Sequence, residues 1–313
     1  MHFLALTPIH GMRVSISFLS LLEEAVQILF QSKLLLSLLI PLGLLLFGSF
    51  QVSETLAPLL PESFLSREAV ISTFETHQRF LRDGLIALLL FGVLRMALRG
   101  PLFLFIEHTV LQKVTPTSRL SLPKSYMLMR SAIIALGYEA FYWMTLTLLA
   151  LVLFSPLYIA SKVNPAAIQI LFQMGALVLL GLSLVFFYLK EFGLLYTLLA
   201  HLKPRLALDL GRKLFQKHTL LSLLFGLFLM ALSLLFTFCL NLAIITSAII
   251  PWSFLQEGWR LVCGVILLGS AALLTETLRL LFFHALAATP RIKVSPTKKI
   301  LAEEKSIGEA PTA

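Results

Sequence analysis

The chain has 313 residues, of which 58% are hydrophobic and only 13% charged, with a mean hydropathy of +0.92 and a formal net charge of +9. A soluble globular domain carries roughly a quarter charged residues, so this composition excludes one and points to a chain that lives in lipid. In a multi-span chain a basic balance reads as cations gathered beside anionic headgroups, so membrane lipids are the expected partners and nucleic acid is not.

The first predicted element is an interfacial amphipathic helix over residues 12–31. Arg13, Ser17, Ser20, Glu24, Gln27 and Gln31 recur at steps of four and three, while Phe18, Leu22, Val26 and Leu29 take the opposite face. A helix of that pattern lies along a membrane surface. Nothing ahead of the first apolar stretch reads as a removable signal peptide, so that stretch is predicted to act as the targeting signal.

Six apolar stretches follow, at about 34–50, 85–106, 131–157, 166–189, 219–250 and 259–287. About 20 residues suffice to cross a hydrocarbon layer roughly 30 Å thick at about 1.5 Å per residue. Lipid offers no hydrogen bonds to bare peptide groups, and Leu-rich runs without alternation are not barrel strands, so the spans are predicted to be helices. The fold class is therefore all-α, a polytopic integral membrane protein of six spans arranged as three hairpins, each preceded by a cytoplasmic amphipathic helix. Residues 1–290 form one membrane domain and 291–313 a flexible tail. Cys239 and Cys263 both fall within spans, where no disulfide framework is expected.

Charge sets the predicted orientation. Four Lys or Arg lie in 107–130, six in 190–218 and six from Arg279 onward, against three, one and one in the intervening connections. The positive-inside rule then makes both termini cytoplasmic, in a bacterial-type inner membrane. On the outer side, Asn164 and Pro165 read as an N-cap and first helical residue, Ser253 with Gln256 as a capping box, and Trp252 and Trp259 as headgroup anchors. Before the fifth span, Arg205, Asp209, Arg212 and Gln216 form a second polar stripe, and Arg205, Arg212, Lys213 and Lys217 are candidate interfacial lipid contacts.

Residues 29–39 and 214–224 agree at eight of eleven positions, which suggests an internal repeat, with a third copy starting near Leu120-Ser121-Leu122-Pro123. The segment Ser20-Leu21-Leu22-Glu23-Glu24-Ala25, leading into a span interrupted by Pro41, resembles the bacterial six-helix membrane-domain families, including the membrane domain attached to some glycerophosphodiester phosphodiesterases. The resemblance covers the layout of most of the chain. It implies a cytoplasmic-membrane protein and transfers no functional residues.

No metal-ligand spacing, nucleophile elbow or phosphate loop occurs in the sequence, so no catalytic, metal or cofactor-binding residues are assigned and a non-enzymatic protein is expected. Charges inside spans carry more information, because each costs on the order of 2.5–3.5 kcal/mol at a helix centre and needs a partner. Arg95 and Arg99, Lys190 and Glu191, Glu139, and Glu276 with Arg279 all approach the cytoplasmic half. The candidate buried polar or anion site is Arg95, Arg99, Glu139, Glu276 and Arg279. A structural alternative pairs Arg95 with Glu139 and Glu276 with Arg279, while Arg99 and Lys190 snorkel to headgroups. Tyr138 and Tyr142 flank Glu139 and are placed to join its network. Gly175, Gly181, Gly264 and Gly269 are expected to permit close helix approach, and Pro41 and Pro156 to bend their spans.

Three functional readings follow. The leading one is a protein that binds lipid or a partner protein and supports membrane or envelope organisation. The second is a permease for a small or amphiphilic anion, and the third a membrane-embedded lipid-modifying enzyme.

Overall fold

A computed structural model describes residues 17–59, 67–114, 123–160 and 165–288. These form α1 (Phe18–Gln31), α2 (Lys33–Leu56), a 3-10 turn (Ala57–Leu59), α3 (Arg67–Val114), α4 (Ser125–Ala160), α5 (Pro165–Leu199), α6 (Pro204–Lys217), α7 (Thr219–Ser247) and α8 (Ser253–Ala288). Among the described residues there is no strand. Helices α2, α3 over Thr76–Leu111, α4, α5, α7 and α8 are long and apolar enough to cross a membrane, which makes this an all-α, multi-pass membrane protein. Residues 12–16, the proposed third repeat start at 120–122, Asn164 and the tail 291–313 lie outside the described residues.

Several helices outrun the apolar stretches that announce them. Helix α3 starts at Arg67 rather than near 85, with a break at His77 (φ −117°, ψ 20°) between its polar first part and its apolar span. Helix α5 continues to Leu199 rather than stopping near 189. The physical reason lies in α6, whose Gly211 sits against the backbone of Gly193 and gives the last turns of α5 a protein surface in place of lipid. Pro41 and Pro156 are carried inside unbroken helices. Helix α8 begins at Ser253 itself, and the Gln256 amide donates to the Trp252 carbonyl at 3.0 Å, so Ser253 is a first-turn residue and not the expected cap.

The spans pack in the order α7, α8, α2, α3, α4, α5. Glycine sets the closest of these contacts. A Cβ at Gly269 of α8 would stand 2.5 Å from the Leu39 carbonyl oxygen of α2, one at Gly43 would overlap the Val265 carbonyl, and one at Gly100 of α3 would overlap the Ser131 carbonyl of α4. Gly264 meets the Phe47 ring in the same α2–α8 seam, whereas Gly181 has nothing within 4 Å and faces open space. Helices α5 and α7 meet at Tyr188 and Gly226, where a Cβ on the glycine would overlap the tyrosine hydroxyl.

The two amphipathic helices close one end of this bundle. Helix α1 packs on α8, and α6 on α5. The buried edge of α1 is Leu21, Ala25 and Ile28, with Phe18, Leu22, Val26 and Leu29 beside it and partly buried, one position away from the stripe read off the sequence. Helix α6 buries Ala207, Gly211 and Leu214 at the same spacing, and each of the two helices is separated from the following span by one residue, Ser32 or His218. Aromatic rings lock this end: Phe225 stacks on Phe282 at 3.9 Å, and Phe18 lies on Phe228 at 5.5 Å. At the opposite end the helices turn Leu148, Val152, Leu177 and Phe238 outward toward lipid, and Trp252 and Trp259 are exposed there. Arg260 donates to the Ser247 hydroxyl at 2.8 Å and ties the turn between α7 and α8.

Candidate functional site

Seven charged side chains from four helices converge inside the bundle. Arg99 stands about 22 Å of helix before the end of α3, and Glu276 about 18 Å before the end of α8, taking about 1.5 Å per residue. The antiparallel and parallel runs of α3, α4, α5 and α8 bring Arg99, Glu139, Lys190, Glu191 and Glu276 to one depth. The Gly100 contact with the Ser131 backbone seats α4 directly against α3 one residue from Arg99, close enough for its guanidinium to reach Glu139.

Arg99 is the hub. Its Nη1 donates to Glu139 Oε1, its Nη2 to Glu191 Oε2 at 2.7 Å, and its Nε to Glu276 Oε1 at 3.1 Å. Lys190 Nζ donates to Glu139 Oε1 at 2.8 Å and lies 3.1 Å from Glu191 Oε1. Arg279 Nη1 completes the set with Glu276 Oε1 at 2.8 Å, one helical turn away on α8. Three cations therefore face three carboxylates, and the planar guanidinium fork suits simultaneous contacts that an ammonium cannot make. Aromatic faces cover the remaining cationic surface, with Lys190 Nζ 4.7 Å from the Tyr142 ring centre and Arg279 5.2 Å from that of Phe187.

This geometry revises the pairing expected from sequence. Arg99 and Lys190 do not snorkel; both are buried at the centre of the lattice, while Arg95, one turn earlier on α3, makes no ion pair among the described residues and is exposed. The Glu276–Arg279 pair forms as expected. Tyr142 contributes its ring face and not a hydroxyl to the network, and Tyr138 turns its hydroxyl to Thr197 Oγ1 at 2.7 Å, bracing α4 on α5. Lys190 and Glu191 belong to the site although they stand outside the candidate set. Their signal was a pair of adjacent charges followed by further apolar residues through Leu199, the mark of an interior position and not a helix end.

A cavity of about 510 Å³ lies against this lattice, with residues of all six spans in its wall. Arg95, Arg99, Glu276 and Arg279 form its charged side, and most of the rest is apolar or aromatic, including leucines from Leu42 of α2 to Leu268 of α8. It is half open. Ser183, Leu184 and Phe187 of α5 bound it on one side and Leu229, Met230 and Ser233 of α7 on the other. With Arg95 added to the balanced lattice, the cluster as a whole carries one cation in excess.

A second, smaller space of about 290 Å³ lies between α4, α5 and α6. Of the four basic residues expected to touch lipid, all exposed on α6, Arg205 and Arg212 line this groove, whereas Lys213 and Lys217 do not. Tyr142 lines both spaces, and Lys190 stands in the groove wall while bonded to the lattice behind it. No family model, curated protein or solved structure matches this chain.

Proposed function

We propose that this protein binds the anionic headgroup of a membrane amphiphile in the cavity between its spans, and so serves as a non-enzymatic lipid-binding component that organises a bacterial-type cytoplasmic membrane. Both termini and the α1/α6 end are assigned to the cytoplasm, on the strength of the cation excess there. The layout of α1 ahead of a proline-containing span supports placing the chain beside the six-helix membrane-domain families it resembles, and the matching forms of α1–α2 and α6–α7 support an ancestral duplication.

Arg95 carries this reading. Arg99, Lys190 and Arg279 are balanced by Glu139, Glu191 and Glu276, and of the cations lining the cavity Arg95 alone makes no ion pair among the described residues. A cation between membrane spans favours an anion beside it. The leucine, phenylalanine and methionine side chains of the cavity wall suit an acyl chain whose headgroup lies at Arg95.

The test is native mass spectrometry of the detergent-purified protein titrated with phosphatidylglycerol or phosphatidylcholine. Preferential retention of phosphatidylglycerol, reduced about tenfold in Arg95→Gln as expected for loss of one charge-assisted contact, is the predicted result. Equal retention of both lipids by the wild type, or no change in Arg95→Gln, would sink the proposal.

The permease reading draws on one further observation: Tyr142 borders both spaces, and Lys190 in the wall of one is joined through Glu139 to Arg99 in the wall of the other. For that reading, reconstituted vesicles should move an amphiphilic anion across the bilayer, and Glu139→Gln should stop the movement while the folded protein is retained.

A further inference from the structure

We propose that the groove between α4, α5 and α6 is a second, independent lipid site, which takes the phosphodiester headgroup of an anionic glycerophospholipid. Its polarity runs in the order a phospholipid requires. Arg205, Asp209 and Arg212 sit along α6 at the outer rim, Lys190 and Tyr142 lie deeper, and Phe141, Phe186 and Thr145 continue toward the lipid-facing middle of α4 and α5. A phosphate seated at the arginines therefore leaves its acyl chains on an aromatic and apolar track that already faces the hydrocarbon.

Charge selects the headgroup. Arg205 and Arg212 are two helical turns apart on one face, both exposed, and neither forms an ion pair among the described residues, nor does Asp209 between them. Two guanidinium groups against one carboxylate leave the rim positive by one, which matches a headgroup of single negative charge. Asp209 accepts a hydrogen bond, so the headgroup that fits also offers a donor beyond its phosphate, as a phosphoglycerol group does. Lys190 supplies the built part of the site: its side chain is 6% exposed, locked by Glu139 and Glu191, and its position in the groove wall is set by the core and not by solvent. Lys213 and Lys217, equally basic and on the same helix, are outside the groove and provide an internal control.

This site stands apart from the cavity, because neither Arg205 nor Arg212 touches the cavity and Arg95 does not touch the groove. The experiment is a phosphatidylglycerol titration of the full-length protein, read by native mass spectrometry, on the double variants Arg205→Gln/Arg212→Gln and Lys213→Gln/Lys217→Gln and on Arg95→Gln. The groove variant is expected to lose one bound lipid, with affinity for it lowered at least tenfold, while the lysine variant keeps it and Arg95→Gln loses a different one. Equal losses in the arginine and lysine variants would show a diffuse surface field and overturn the site. Full retention in the arginine variant would overturn it as well, whatever Arg95→Gln does. Displacement of the lipid by millimolar inorganic phosphate as effectively as by added phosphatidylglycerol would reassign the groove to a soluble anion and overturn the lipid assignment.

Discussion

Arg99 of α3 and Glu191 of α5 meet at 2.7 Å, although α4 stands between their helices in the packing order of the bundle. An ion pair between two spans that otherwise touch little makes the lattice a tie across the centre of the bundle. In lipid no hydrophobic force drives one apolar helix onto another, so such contacts and tight packing must supply the specificity.

Removing the hub should therefore be severe. Arg99→Met leaves three carboxylates without their shared cation, and breaking a buried pair in this way costs about 3–5 kcal/mol. Arg99→Lys should rescue little, since an ammonium cannot span Glu139, Glu191 and Glu276 at once. Thermal unfolding in detergent is the measurement, and a lysine variant as stable as the wild type would refute the hub role.

Glycine contacts give a matched pair of substitutions. Gly269→Leu forces side-chain atoms into the Leu39 carbonyl, a backbone group that cannot swing away, and should cost about 1–3 kcal/mol or more by prying α2 from α8. Gly181→Leu meets nothing within 4 Å and should leave the unfolding midpoint near that of the wild type. Equal effects of the two would show that the α2–α8 seam is looser than described.

Tyr138→Phe removes the hydroxyl shared with Thr197 and nothing else of comparable strength. Thr197 keeps its bond to the Gly193 carbonyl at 2.9 Å, so the loss should be modest, about 0.5–1.5 kcal/mol. Thr197→Val should cost a similar amount, and the double variant less than the sum, because both remove one interaction.

The aromatic lock at the α1/α6 end predicts coupling between α1 and the spans. Phe225→Ala removes the stack on Phe282 and the packing of Phe18, at a cost of about 3–5 kcal/mol. A cysteine introduced at Ala25, fully buried in the native bundle, should become reactive to a soluble thiol reagent in the Phe225→Ala background and stay protected otherwise.

Depth was legible in the sequence. Glu139 and Glu276 declare their distance from a helix end by residue count alone, and Glu139 as a short carboxylate cannot reach water by snorkelling, so its burial with a partner follows from the chain order. The partner itself does not follow. Arg95 and Arg99 lie one turn apart on α3, and nothing in their spacing says that Arg99 faces Glu139 while Arg95 faces an open cavity; the Gly100–Ser131 contact decides it. Likewise α1 shows its polar stripe clearly, yet its buried edge is Leu21, Ala25 and Ile28, a choice made by the α8 surface it packs against.

Six continuous apolar runs were enough, by themselves, to determine that the chain is helical and crosses a membrane, because a bilayer tolerates few alternatives and length counts directly against its thickness. Rotation of each span about its own axis is different. Leucine faces both lipid and neighbour in these helices, so no amphipathic stripe marks the inner side. Only the assembled bundle chose which charges meet, left Arg95 without an ion pair, and set it in the wall of a cavity.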